Sequence, residues 1–343
     1  MRPFSYQRAT DTSSAIKSAL KIAPDRAQPP VLAPGQYLAG GTTILDLMKL
    51  DVMRPQVLVD INPLQQSDRA STIEVGDKGV RFGALVRMAQ AADHADIRRD
   101  YPVIADSLQL AASAQLRNMA SLSGNILQRT RCHYFRDTSW SQCNKRMPGS
   151  GCAALEGVNC QHAVLGADDD CVALYPGDFA QALIALDANV EVTGINGNRT
   201  IPFAGFHRRP AGSPHIETVL SPGDLITAIT VPAGPWTRRS LYLKIRDRES
   251  YQFALASAAV ALDMDGDTVR TARIALGGVA TVPWRAREAE AELEGQRLNE
   301  STAAKAAEAA FVEARTLKHN AYKVPLGKRT LTRALLAAAR MEV

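Results

Sequence analysis

The feature that most restricts what this 343-residue chain can fold into is the placement of its cysteines. Cys132, Cys143, Cys152, Cys160 and Cys171 crowd one stretch, and no other part of the chain has any. They lie in residues 127–174, where hydrophobic periodicity vanishes and Gly, Pro, Ser, Cys and charged residues dominate. An irregular segment of that length inside a compact domain is either functional or disordered, and the clustered thiols point to a local site. The gaps between successive cysteines are 10, 8, 7 and 10 residues, with no C-x-x-C knuckle. That spacing argues against a zinc ribbon. The odd count argues against a disulfide-stapled loop, although both a zinc and a disulfide reading stay open.

On either side of this segment the chain is regular. Residues 11–22 and 43–50 read as helices and 36–39 and 57–61 as strands, a βαβ pattern. Strands follow at 72–75 and 80–83 across an Asp77-Lys78-Gly79 turn, then helices at 85–92 and 103–112. Beyond the cysteines come a helix at 177–186, strands at 190–193 and 199–201 flanking Asn196-Gly197, and a strand at 225–231. A Pro/Gly linker at 232–236 precedes strands at 241–246, 257–263 and 269–275 and alanine-rich helices at 286–294, 301–317 and 328–341. The reading is α+β, with an antiparallel C-terminal sheet covered by helices. A hydrophobic content of 46% is enough to bury a core in each of two or three domains.

Two glycine turns stand out. In Tyr37-Leu38-Ala39-Gly40-Gly41-Thr42-Thr43-Ile44 a strand runs into a helix. The glycines let backbone N–H groups approach a ligand, and the threonines either cap the helix or donate to phosphate oxygens. It is not the G-x-G-x-x-G fingerprint, and a plain strand-to-helix connection has the same composition. Ser121-Leu122-Ser123-Gly124-Asn125-Ile126 repeats the chemistry some eighty residues on. Two such loops suit the two phosphates of a dinucleotide; alone, the second reads first as a plain turn with Asn125 left-handed.

The 40 basic and 35 acidic residues are dispersed, with no like-charge block for nucleic acid. No run of 18 uncharged apolar residues exists, and the N-terminal residues lack the apolar core of a secretory signal, so neither membrane insertion nor a leader is expected. No Ser-His-Asp or Cys-His constellation and no H-E-x-x-H is present, so no catalytic residue is assigned.

The pairing of Leu38-Ala39-Gly40-Gly41-Thr42-Thr43 with Leu116-Arg117-Asn118, Ser121 and Ser123-Gly124-Asn125-Ile126 resembles the FAD-binding medium subunit of the xanthine dehydrogenase and aldehyde oxidoreductase family. Tyr175-Pro176-Gly177-Asp178, Gly223-Asp224-Leu225-Ile226, Lys244-Ile245-Arg246-Asp247-Arg248, Ala275-Leu276-Gly277-Gly278-Val279 and Pro283-Trp284-Arg285 extend the likeness over nearly the whole chain. The cysteine segment is similar to an insertion in the bacterial periplasmic aldehyde oxidoreductase type. The resemblance implies a two-subdomain FAD-binding fold (PCMH/VAO-like), with residues 1–64 and 65–235 as subdomains, an iron-sulfur insertion at 127–174, and a C-terminal flavoprotein domain at 236–343. It implies FAD contacts from Gln36, Tyr37, Leu38, Ala39, Gly40, Gly41, Thr42, Thr43, Ile44, Ser121, Gly124 and Asn125. Ala111 would lie near the flavin, and Asp178, Ile226 and Lys244 would contact the rest of the cofactor. Ser123 stands where many members have glycine. Cys132, Cys143, Cys152 and Cys171 match the ligands of a [4Fe–4S] cluster, with Cys160 a spare thiol, and His133 and His162 read as solvent-facing.

In such complexes, the resemblance implies, a large subunit oxidises the substrate at a molybdenum cofactor, and a small subunit passes electrons through [2Fe–2S] clusters to FAD. This chain would complete the heterotrimer and deliver electrons to an external acceptor: a ferredoxin, a quinone or oxygen. Lys244 would favour the anionic reduced flavin. Assembly is expected in the cytoplasm, with periplasmic residence through co-export with a partner bearing a twin-arginine signal. The competing readings are a stand-alone FAD-dependent oxidase and a flavin-free scaffold with a zinc-binding cysteine loop.

Overall fold

Alternating and helical hydrophobic patterns sort the chain onto three sheets in the computed structural model, which describes residues 1–22, 29–67 and 69–343. The first sheet is parallel and built from β1 (Ser5–Arg8), β2 (Gly35–Leu38) and β3 (Val57–Asp60), in the order β1-β3-β2. Its helices are α1 (Thr12–Lys21) and α2 (Ile44–Lys49). The middle strand, β3, carries the buried Leu58, Val59 and Asp60, whereas β1 is exposed at all four positions. Helix α1 begins where Asp11 accepts from the Ser14 amide (2.7 Å) and the Ser14 hydroxyl accepts from the Asp11 amide (3.1 Å), a reciprocal cap that satisfies two otherwise orphaned donors.

A single turn, α3 (Leu64–Ser67), leads to a five-stranded antiparallel sheet. Strands β4 (Ile73–Gly76), β5 (Gly79–Gly83), β6 (Asn189–Gly194), β7 (Gly197–Pro202) and β8 (Leu225–Pro232) lie in the order β4-β5-β8-β6-β7. Seven helices separate β5 from β6: α4 (Met88–Asp93), α5 (Ala95–Asp100), α6 (Pro102–Gln109), α7 (Ala114–Met119), α8 (Leu122–Ile126), α9 (His133–Arg136) and α10 (Phe179–Ala185). All of α10 is buried, and every residue of it but Gln181 is apolar; Phe179 meets Phe82 of β5 edge to face with centroids 6.5 Å apart.

The third sheet, β12-β11-β10-β9, is antiparallel: β9 (Ser240–Ile245), β10 (Ala256–Asp265), β11 (Thr268–Gly277) and β12 (Trp284–Arg285). Ala256, Ala258, Val260 and Leu262 of β10 join the core formed with α11 (Arg287–Leu293), α12 (Glu300–Ala309) and α13 (Lys323–Ala339). The alternate residues Ala259 and Ala261 join the core around α6 and α10. Burial on both faces explains the unbroken run of small apolar residues.

The fold is α+β with an antiparallel C-terminal sheet, as expected. Several local readings are corrected. β1, α3, α5, α7, α8, α9 and β12 have no counterpart in the sequence reading. Residues 84–86 are spent on backbone pairing, so helix 85–92 begins at Met88. The helix expected to reach 317 stops at Ala309, and the one expected from 328 begins at Lys323. Among the described residues no helix is long and apolar enough to cross a membrane.

Candidate FAD site and cysteine loop

The two glycine turns meet. A β-carbon on Gly40 would lie 2.0 Å from the Met119 carbonyl oxygen and 3.0 Å from Ala120 Cα, so only glycine lets the turn after β2 sit against the chain leading into α8. Gly41, at φ +75°, then swings the backbone toward α2. The second turn is fixed on both flanks: Met88 N–H donates to Ala120 O (2.9 Å), Leu122 N–H to Val86 O (2.9 Å) and Ser123 N–H to Ala84 O (3.1 Å). Arg87 joins the turns through Met119 O (2.6 Å) and Asn62 Oδ1 (2.9 Å), while Asn62 donates to Ala39 O (3.0 Å).

Between the turns opens a cleft of about 620 Å³, within the range that takes a cofactor. Of the residues expected to bind FAD, Gln36, Tyr37, Ala39, Gly40, Gly41, Thr42, Thr43, Ile44, Ser121, Gly124 and Ile226 line it. Leu38 and Asn125 belong to the same turns without lining it. The Ser121 hydroxyl caps α8, accepting from Gly124 N–H at 3.2 Å. Thr43 occupies the cap position of α2 but makes no capping bond, and Asn125 Oδ1 is buried without a hydrogen-bond partner among the described residues. A glycine cradle and the uncommitted Thr43 hydroxyl fit a ligand bearing phosphates.

The opposite wall lies largely outside the sequence reading. It is the segment 216–226, tied to β2 by the Tyr37 hydroxyl donating to Gly223 O (2.9 Å), together with His207, Arg129 and Lys145. Asp224 anchors it by accepting from Ser221 N–H and pairing with Arg199. The Gly223-Asp224 pair is a visible signal; Arg129 and Lys145 give none, because their role depends on how the cysteine segment folds back.

Ala111, Asp178 and Lys244 form a second assembly outside the cleft lining. Lys244 Nζ donates to Asp178 Oδ2 (2.7 Å) and to Leu110 O (3.0 Å), beside Ala111, and the Tyr242 hydroxyl donates to Asp178 Oδ1 (2.7 Å). Both side chains of the ion pair are almost wholly buried, at 1% and 4% exposure. Burial pushes the Asp178 carboxyl up while Lys244 pulls it down, leaving it above its ordinary value. The Lys244 charge is thus already matched by a carboxylate.

The cysteine loop is ordered. Arg131 and Arg136 both donate to Asp46 of α2 (2.8 and 2.6 Å), locking the loop to the first glycine turn. Burial raises the Asp46 carboxyl, but these two guanidinium groups outweigh it and hold the carboxyl low. Buried Asn159 donates to Ala154 O (3.1 Å) and accepts from His319 N–H (2.9 Å), fastening the loop to the C-terminal domain.

Inside the loop Cys143 and Cys152 pair as an isolated antiparallel bridge, and Cys171 Sγ accepts from Ala173 N–H at 3.4 Å. Burial pushes the Cys132 thiol up to about 12. The neighbouring Cys171 side chain lowers the Cys152 thiol, and Cys152 in turn raises Cys171. All five cysteines are free thiols, so the disulfide alternative finds no pairing. Among the described residues no group of three or more His, Cys, Asp or Glu forms a metal site as the side chains stand. Cys160 lies apart, its carbonyl accepting from Tyr322 at the C-terminal domain. His133 is exposed as read, but His162 is buried with Nε2 3.2 Å from Cys132 Sγ, a correction that follows from the loop closing over it.

A parallel βαβ unit and an antiparallel sheet that clasp a cleft between two glycine turns define a carrier of a dinucleotide cofactor. Residues 2–234 match the FAD binding domain in molybdopterin dehydrogenase, and residues 241–338 match the CO dehydrogenase flavoprotein C-terminal domain. The chain belongs to this family of FAD-binding medium subunits of molybdenum hydroxylases, and it is an oxidoreductase subunit.

It is 45% identical to the aldehyde oxidoreductase FAD-binding subunit PaoB of Escherichia coli K12 over 346 residues, 100% of each chain. It is 27% identical to the carbon monoxide dehydrogenase medium chain of Afipia carboxidovorans, covering 88% of this chain and 84% of that one. A solved carbon monoxide dehydrogenase of Hydrogenophaga pseudoflava superposes with a TM-score of 0.73 at 24% identity, over 98% of this chain and 97% of that one, a likeness of fold.

Proposed function

We propose that the chain is the FAD- and [4Fe–4S]-carrying electron-transfer subunit of a heterotrimeric molybdenum-dependent aldehyde oxidoreductase. What supports this reading is that one loop, locked by Asp46 onto the helix of the first glycine turn, carries Cys132, Cys143, Cys152 and Cys171. Four thiolates are the ordinary donor set of a [4Fe–4S] cluster, and an irregular segment presents them from several directions. Identity to the aldehyde oxidoreductase FAD-binding subunit along the full chain supports the substrate class.

Bound FAD accepts electrons singly and delivers them in pairs. The chain's own residues supply position and charge. Gly40, Gly41, Ser121 and Gly124 admit the phosphates, Tyr37 holds the far wall through Gly223, and the arginine-to-Asp46 pairs fix the distance between thiols and cleft. A molybdenum-cofactor large subunit and a [2Fe–2S] small subunit are the partners of this reading, with a ferredoxin, quinone or oxygen as acceptor. We place assembly in the cytoplasm, with export alongside a partner.

Iron analysis of two variants within the co-expressed complex tests the cluster. Cys152→Ser is expected to lose most of the iron of this subunit while retaining flavin, and Cys160→Ser to keep both. Zinc in place of iron would leave a stapled loop instead of an electron carrier, and iron loss in Cys160→Ser would overturn the ligand set.

A further inference from the structure

One buried cation lines the cleft with most of its donors unused by the fold. Arg129 is 8% exposed, and neither Nη1 nor Nη2 has a hydrogen-bond partner among the described residues. Its Nε forms an ion pair with Glu217 Oε2 at 2.7 Å, and its guanidinium lies over the Phe135 ring, 5.1 Å from the centroid. Glu217 is shared: Lys145 Nζ, itself buried, donates to Glu217 Oε1 (2.9 Å) and to Pro214 O (3.0 Å). Two cations therefore compete for one carboxylate. Burying a guanidinium whose outer nitrogens are unpaired is costly unless an anion meets them.

The neighbouring acid cannot serve. Asp224, the other carboxylate lining the cleft, is engaged by Arg199 and the Ser221 amide. A planar fork of donors, held at its root by Glu217 and on its face by Phe135, is shaped for a group that presents two oxygens.

We propose that Arg129 is a cofactor-binding residue, supplied by the cysteine segment, that donates to acceptor oxygens of the bound dinucleotide. The inference rests on the reading of the cleft as the FAD site. The segment thereby acquires a second role, since residues 127–130 form a wall of the flavin cleft, and Phe135, packed against Cys143, holds the arginine that closes it. The pyrophosphate and the polar edge of the isoalloxazine ring both offer suitable oxygens.

The test uses the intact complex, stripped of flavin and titrated with FAD by flavin fluorescence, with ADP as a competitor lacking the ring. Arg129→Gln is expected to weaken FAD about 10- to 100-fold, as for loss of hydrogen bonds to a charged group. Its affinity should also depend less on salt, with the iron content unchanged. Arg129→Lys, which keeps the charge and loses the fork, should fall in between, and it supplies the comparison should Arg129→Gln not fold. An equal loss for ADP locates the contact at the pyrophosphate, and a loss confined to FAD locates it at the ring. Variants that bind FAD as tightly as wild type, with the same salt dependence, overturn the proposal while leaving the FAD site in place. A wild-type complex that takes up no FAD overturns the FAD reading itself.

Discussion

Gly40 and Met119 are in backbone contact: the α-carbon of the first glycine turn packs where any β-carbon would stand 2.0 Å from the Met119 carbonyl oxygen. That same oxygen accepts from Arg87 at 2.6 Å. The two turns, far apart in sequence, therefore pack backbone to backbone into one rim of the cleft.

Gly40→Ala should force the turns apart. Because the neighbour is backbone rather than a flexible side chain, we expect a stability loss of about 1–3 kcal/mol together with poor FAD retention. Thermal unfolding and flavin content on the same preparation check this. A variant with wild-type melting and full flavin would show that the two turns do not pack this closely.

Lys244→Met should leave the buried Asp178 without its ion-pair partner, at a cost of about 3–5 kcal/mol. The double variant Lys244→Met/Asp178→Asn should recover much of the loss, because removing both charges removes the unpaired one. Denaturant unfolding of the single and double variants decides, and additive losses would contradict the pairing.

His207 is enclosed by Tyr175, Phe203 and Phe206 and bonds to Ile126 O through Nε2 (2.9 Å). Burial lowers it to about 4, against 6.5 for the free side chain. Below pH 6.5 the unfolded chain takes up the proton first. Its stabilising contribution is therefore complete above pH 6.5 and is lost as pH falls toward 4, by about 3 kcal/mol in total. His207→Gln should flatten the stability profile over that window, as measured by unfolding at stepped pH.

Tyr37→Phe removes the hydroxyl that ties β2 to Gly223 O and should cost about 1 kcal/mol. If the far wall is held this way, FAD should dissociate faster while the fold survives. Stopped-flow release of flavin measures it, and an unchanged rate would assign the wall to other contacts.

The sheets and most helices are legible in the sequence because their periodicities are strong. β1 is not, since an edge strand exposed at every position carries no alternation to detect. α13 reads as starting late because Pro325 and Gly327 look like breakers. Yet Pro325 falls in the first turn of the helix, where a missing N–H costs nothing. The helix expected to run to 317 ends early because the chain there turns back toward the cysteine loop: Asn320 donates to Ala163 O and accepts from Leu317 N–H.

Half the rim of the cleft is visible as glycine and hydroxyl patterns. The other half depends on tertiary return: Arg129, Lys145, His207 and Glu217 acquire meaning only when 127–130, Lys145 and 207–217 come to face the glycine turns. Likewise Asp46, an ordinary residue in the first turn of a helix, proves to be the post to which Arg131 and Arg136 fasten the cysteine loop. Local propensity cannot encode a partner 90 positions away.

The most direct test of the central claim is cofactor stoichiometry. The complex is purified anaerobically, this subunit is separated, and FAD, iron and acid-labile sulfide are quantified in the same sample. One FAD with about four irons and four sulfides per chain is the expected result. FAD with no iron or sulfide would contradict the electron-carrying loop, and a subunit with neither would contradict the cofactor assignment as a whole.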